Sequence, residues 1–147
     1  FDNIRLCLIV IIFKKMITNE IIKIASNTSN VGLTNKYTYK STKKNSMCGD
    51  IIRIELITKN SKINSMKYEA ESCVYCEASA SLLATKIKNL KISTIIKDLN
   101  LLKNIQKKNE LNFPAKFKEF KTLIHKNSLN RINCINLPFD AVLKALK

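Results

Sequence analysis

The patterning of this chain predicts an α+β domain in which a three-stranded antiparallel sheet packs against several helices. Three observations carry that expectation. Two apolar alternations, Ile51–Thr58 and Ile63–Glu71, flank the turn Lys59-Asn60-Ser61. After Ser72 the apolar period lengthens from two to that of a helix and stays there. A length of 147 residues with 2 Gly and 2 Pro suits one domain with a sizeable core, and excludes collagen-like or linker-rich chains.

The first fifteen residues stand apart from this pattern. The apolar run Leu6–Phe13 is far shorter than the ~20 residues a bilayer-spanning helix needs. A signal peptide begins with basic residues and ends in a small-residue cleavage site, whereas here Asp2 precedes the run and Lys14-Lys15 follows it. Residues 1–15 are therefore expected to lie upstream of the natural start or to belong to a truncated fragment, with an amphipathic membrane anchor as the alternative. The folded domain is expected over residues 16–147, and Cys7 receives no role.

From Met16 the elements follow in order. Ile17, Ile21, Ile22 and Ile24 form a short helical stripe over Met16–Ala25, which the polar run Ser26-Asn27-Thr28-Ser29-Asn30 ends. Alternating Tyr and Thr over Lys36–Lys40 read as a first strand. In Ile51–Thr58, Ile52, Ile54 and Leu56 share one face, with Arg53 and Glu55 on the other. Met66, Tyr68 and Ala70 share a face of the third strand, so a meander with one buried side results. Small residues (Ala78, Ser79, Ala80, Ser81, Ala84) let a helix over Val74–Leu90 lie close to the sheet. Ser93 is placed to cap a helix carrying Ile95, Ile96, Leu99 and Leu102. Phe113, Phe117, Phe120 and Ile124 recur at helical spacing as a core stripe. Pro138 suits the first turn of a last helix bearing Phe139, Val142, Leu143 and Leu146, with Cys134 in the loop ahead of it.

The net charge of +15 invites a nucleic-acid reading, which the residue types do not support. Of 26 basic residues only Arg5, Arg53 and Arg131 are arginine, the side chain suited to bidentate phosphate contacts. The lysines are spread along the whole chain and no basic patch is interleaved with aromatics. Neither a specific nucleic acid nor a membrane is expected as a partner. The 5 cysteines are odd in number and irregular in spacing, so a disulfide framework is not expected and a reduced, cytoplasmic setting is.

Chemistry concentrates at three separated cysteines. Cys48 stands in Met47-Cys48-Gly49-Asp50, on a loop before a strand. Cys73 stands at a strand-to-helix junction, in Cys73-Val74-Tyr75-Cys76, and Cys134 follows Arg131-Ile132-Asn133 near a helix start. Helix N-termini favour a thiolate and lower its pKa. With Asp50, the three offer soft thiolates and one hard carboxylate, a set able to close a four-coordinate metal site. Cys76, three residues after Cys73 on one helix face, reads as a spare thiol or a substitute ligand. His125 reads as a solvated histidine at a helix end.

These residues give the chain a family resemblance. Cys48-Gly49-Asp50 with its following strand, Cys73 ahead of Ala78-Ser79-Ala80-Ser81-Leu82, and Cys134 followed by Leu137 and Ala141 occur in the order and settings of three motifs. Together they resemble the iron–sulfur cluster assembly family that includes IscU, SufU and the N-terminal domain of NifU, over about Met16–Lys147. The resemblance implies a SufE/NifU-like fold. Its details lean towards SufU: Asn133 stands where IscU has histidine, and Arg131 matches SufU. The stretch from Cys73 to Cys134 is also longer than in IscU, and the Leu-Pro-Pro-Val-Lys segment of IscU is absent.

The resemblance implies a scaffold holding iron or a nascent iron–sulfur cluster on Cys48, Asp50, Cys73 and Cys134, and passing it to acceptor apoproteins. Asp50, a poorer match to a soft site, would be the exchangeable ligand. The alternative it implies is a SufU-type protein. There Zn²⁺ occupies the same ligands, and Cys48 accepts persulfide sulfur from a cysteine desulfurase. A third reading is an inert zinc-stabilised interaction module.

Overall fold

Three strands, β1 (Tyr39–Lys44), β2 (Ile51–Lys59) and β3 (Lys62–Glu71), form one antiparallel sheet in the order β1-β2-β3. The computed structural model describes residues 4–5, 18–108 and 112–147. The expectations for the Leu6–Phe13 run, for Cys7 and for Met16 and Ile17 lie outside these residues. Helices α1 (Asn19–Ala25), α2 (Val74–Lys86), α3 (Ile92–Lys108) and α4 (Ile132–Ala145) complete the described chain, with 3₁₀ segments at Ala115–Thr122 and Lys126–Arg131 before α4. The α+β expectation holds.

The β2–β3 hairpin follows directly from local chemistry. Asn60 (φ 53°) and Ser61 (φ 62°) both take the left-handed conformation of a two-residue turn between paired Lys59 and Lys62. Ile52, Ile54 and Leu56 of β2, with Ile63, Met66 and Tyr68 of β3, are buried on the inner face. Glu55 lies on the outer face yet is also buried. Its carboxylate accepts from Thr34 N (2.8 Å), Asn35 N (2.9 Å) and Thr34 Oγ1 (3.2 Å), pinning the preceding loop across the sheet.

That loop corrects the first-strand expectation. β1 runs Tyr39–Lys44 rather than Lys36–Lys40, because residues 34–35 are held by Glu55 and Asn35 turns at φ 60°. An edge strand need bury little. Ser41 faces α4, donating to Ala141 O at 2.6 Å, so no hydrophobic alternation marks it.

Helix α2 ends about a turn before the expected Leu90, and its small residues do bring it close to its neighbours. Ser79 Oγ, fully buried, donates to Ile135 O of α4 (2.7 Å), and Ser81 Oγ donates to Asn27 O (3.3 Å). In α3 the stripe Ile95, Leu99, Leu102 and Ile105 is buried. Ser93 falls inside its first turn instead of capping it. Phe117 and Phe120 are fully buried as expected, but on a 3₁₀ segment broken by non-helical geometry at Phe117.

The start of the last helix is the largest correction. α4 begins at Ile132, so Cys134 lies in its first turn, not in a loop, and Pro138 sits inside the helix. Lacking an N–H, Pro138 cannot donate to the carbonyl of Cys134, four residues before it. Tertiary anchoring of α4 by Ser41 and Ser79 overrides that local preference.

Candidate metal centre

The loop between β1 and β2 is shaped by three short-range bonds. Asn45 N donates to Asp50 O (2.8 Å), Gly49 N to Asn45 O (2.8 Å), and Met47 N to Asn45 Oδ1 (3.0 Å). Gly49 takes φ +74° with open space where a Cβ would sit, so conformation and not crowding selects glycine there. The loop presents Cys48 to solvent while turning Asp50 inward, with the carboxylate buried.

Donor atoms of Cys48, Asp50 and Cys134 converge, all within 4.8 Å of one another. The Cys48 and Cys134 sulfurs are 3.8 Å apart. A tetrahedral site with metal–sulfur bonds of about 2.3 Å places neighbouring sulfurs about 3.8 Å apart, so the spacing suits a shared metal. Asp50 Oδ2 is buried with no hydrogen-bond partner among the described residues. A buried carboxylate oxygen without a donor is costly, and a bound cation would satisfy it. Three donors, mixed soft and hard, thus fit a thiophilic divalent metal or an iron–sulfur cluster.

Cys73 stands beside this trio, its sulfur outside the mutually close group. It is the N-cap of α2, half-buried, and makes no side-chain capping bond, so its thiol is not engaged by the helix. It is near enough to act on Cys134. Burial pushes the Cys134 thiol up, and the neighbouring Cys73 and Cys48 sulfurs push it the same way. The helix-start argument for a lowered pKa at Cys134 is therefore overturned: desolvation and two adjacent sulfurs outweigh the dipole. A bound cation would reverse that balance, because the ligand form of each cysteine is the thiolate.

Cys76 is fully buried, its thiol pushed up to about 12 by burial, with a Ser72 hydrogen bond opposing and Asp50, Cys73 and Glu77 adding to the shift. Its sulfur lies outside the group of mutually close donors, which argues against a ligand role while Cys73 is present. A stability consequence follows. The unfolded thiol titrates near 9, and the folded one holds its proton to about 12, so the unfolded state loses protons first. Stability of the metal-free protein should fall as pH rises through that window, by about 1.4 kcal/mol per pH unit for this group. Urea midpoints at pH 8 and pH 10.5 should show a shallower decline for Cys76→Ser than for wild type. Equal declines would count against a buried, protonated Cys76.

Arg131 is the N-cap of α4, and its charge reaches buried Tyr75 of α2, whose hydroxyl burial pushes up and Arg131 pulls down. Tyr75 is a site neighbour that sequence reading passed over; its place between Cys73 and Cys76 was the available signal. Asn133 is exposed, and His125 lies in the turn between the two 3₁₀ segments, outside the converging group. Among the described residues no helix is long and apolar enough to cross a membrane.

Comparison with known proteins finds a family and similar chains. The profile of the NifU-like N-terminal domain family matches residues 16–146. The iron–sulfur cluster assembly scaffold protein IscU of Thermotoga maritima is 28% identical over 139 residues, covering 92% of this chain and 96% of that protein. A NifU-like N-terminal structure from Brucella abortus superposes with a TM-score of 0.80 at 17% identity, covering 92% of this chain and 94% of that one. The SufU structure from Fervidobacterium islandicum AW-1 gives 0.75 at 19% identity, covering 90% and 98%. At these identities the two structures speak for the fold alone.

Proposed function

The chain belongs to the NifU-like N-terminal domain family, and from that premise we propose that it is an iron–sulfur cluster assembly scaffold. It receives iron and sulfide as cargo on Cys48, Asp50, Cys73 and Cys134 and passes the cluster to acceptor apoproteins. One observation supports this most. Donor atoms of Cys48, Asp50 and Cys134 converge with a carboxylate oxygen left unsatisfied, and Cys73 adjoins them. Three thiolates hold a soft cargo firmly, and one hard carboxylate is the ligand most readily exchanged for an acceptor's thiolate. Cys48, the exposed member, is the thiol an incoming partner meets first.

Anaerobic addition of ferrous iron and sulfide should give a coloured cluster that moves to an acceptor apoprotein. With Asp50→Ala, transfer should slow severalfold. Transfer at the wild-type rate would remove Asp50 from any release role, and failure to form a cluster at all would overturn the scaffold reading.

The exposure of Cys48 also favours a second reading, sulfur transfer on a zinc-loaded protein. The Cys48 thiolate attacks the outer sulfur of a desulfurase persulfide. A new S–S bond forms on Cys48, the old one breaks, and its electron pair leaves on the desulfurase cysteine. Incubation with a cysteine desulfurase and cysteine should then add one sulfur to Cys48, located by mass spectrometry, and Cys48→Ala should abolish any stimulation of turnover. No added sulfur together with a stable coloured cluster leaves the scaffold as the function. Both readings place the protein in a reduced, cytoplasmic setting.

A further inference from the structure

The outer edge of β1 is open: β2 pairs with one side, and among the described residues no strand pairs with the other. Asn45 N donates to Asp50 O at the end of that ladder. Because antiparallel pairs alternate, Lys40, Thr42 and Lys44 turn their amides and carbonyls outward. Thr42 O bears this out, accepting from Lys144 Nζ of α4 at 3.0 Å instead of from β2.

Two cavities flank this edge. One, of about 450 Å³, is bordered by Leu33, Tyr37, Lys40, Thr42, Arg53 and Lys144. The other, of about 470 Å³, is bordered by Lys43, Lys103, Asp140, Leu143, Lys144 and Lys147. Lys144 belongs to both. Lys103 is already paired with Asp140 at 2.5 Å, and Lys40 lies over the Tyr37 ring at 4.9 Å. Lys43, Lys144 and Lys147 make no ion pair with a described carboxylate.

We propose that the edge of β1 is a docking strand for an extended, acidic segment of a partner protein. The segment adds as a fourth strand and displaces Lys144 from the Thr42 carbonyl. Main-chain bonds to Lys40, Thr42 and Lys44 hold it, and alternate side chains reach the flanking cavities, as in strand addition generally. Charge selects the occupant. A second copy of this chain would set β1 lysines against β1 lysines, which is how native edges discourage self-pairing. Carboxylates on one face of the segment meet Lys43, Lys147 and the released Lys144, while apolar residues on its other face meet Leu33 and Tyr37. Strand β1 runs straight into the loop bearing Cys48, so a partner held here is brought next to the exposed thiol. The inference does not depend on which cargo the metal centre carries.

The test is fluorescence anisotropy with a labelled seven-residue peptide of alternating Glu and Val, against its Lys–Val counterpart, on the full chain. The Glu–Val peptide should bind, more weakly as salt rises, and the Lys–Val peptide should not. Thr42→Pro removes an outward N–H at an edge position that tolerates proline. It should weaken binding at least tenfold with an unchanged unfolding midpoint. Hydrogen exchange on the wild type decides the matter even if that variant misfolds: the amides of Lys40, Thr42 and Lys44 should slow at least tenfold with peptide. Absence of binding, binding without slowing of these amides, or self-association of the free protein through β1 would each overturn the proposal.

Discussion

Cys134→Ser should strip the protein of most of its metal or cluster. Cys134 is the buried centre of the site, 3.8 Å from the Cys48 sulfur and acted on by Cys73 as well. Loss of a direct ligand should exceed the ten- to hundredfold that loss of an outer-shell partner costs. Serine keeps the size but supplies a hard oxygen whose proton is not readily lost, so it is a poor substitute for a thiolate. Cys48→Ser and Cys73→Ser should also lower metal content sharply. Cys76→Ser should have much less effect, because Cys76 is not among the converging donor atoms, and Cys7→Ser should have none. Metal per chain, measured on anaerobically purified variants beside their visible spectra, gives the ranking. Full loading of Cys73→Ser would mean that Cys76 had taken over as ligand.

Phe120→Ala should be the most damaging change away from the site. Phe120 is fully buried and packs edge-on against Phe139 of α4, with ring centres 5.2 Å apart, and against Phe117 at 6.0 Å. Truncating a buried phenylalanine costs about 3–5 kcal/mol through lost burial and the cavity left behind, a large share of the roughly 5–15 kcal/mol that holds a domain together. Phe139 lies on the helix that carries Cys134, so metal retention should weaken along with the urea midpoint. Phe120→Leu, which refills most of the volume, should recover more than half of the loss. A midpoint for Phe120→Ala within 1 kcal/mol of wild type, by the usual free-energy conversion, would show that the ring is not a keystone of the core.

Much of this was legible in residue order alone. The β2–β3 hairpin announced itself because Ile52, Ile54 and Leu56 alternate against the core and Asn60 accepts a left-handed turn. The junction at Cys73 was legible because apolar period changes there, and Cys48 was legible as a loop residue ahead of a strand. β1 was misplaced since the edge strand turns a half-buried Ser41, not an apolar residue, toward α4. The start of α4 was misplaced since Pro138 is a strong local signal that anchoring by Ser41 and Ser79 outweighs.

Sequence by itself therefore determined the β2–β3 hairpin, the helical second half and which cysteines and carboxylate are candidates for metal chemistry, all of which rest on periodicity and side-chain type. Only the tertiary structure decided that Cys48, Asp50 and Cys134 meet within 4.8 Å while Cys73 adjoins them. It alone put Cys134 in a dry helical turn that raises its pKa, and it alone sealed Cys76 in the core. Local pattern says which atoms can bind a metal. Distance and desolvation arise from elements far apart in the chain packing together, and no local signal encodes them.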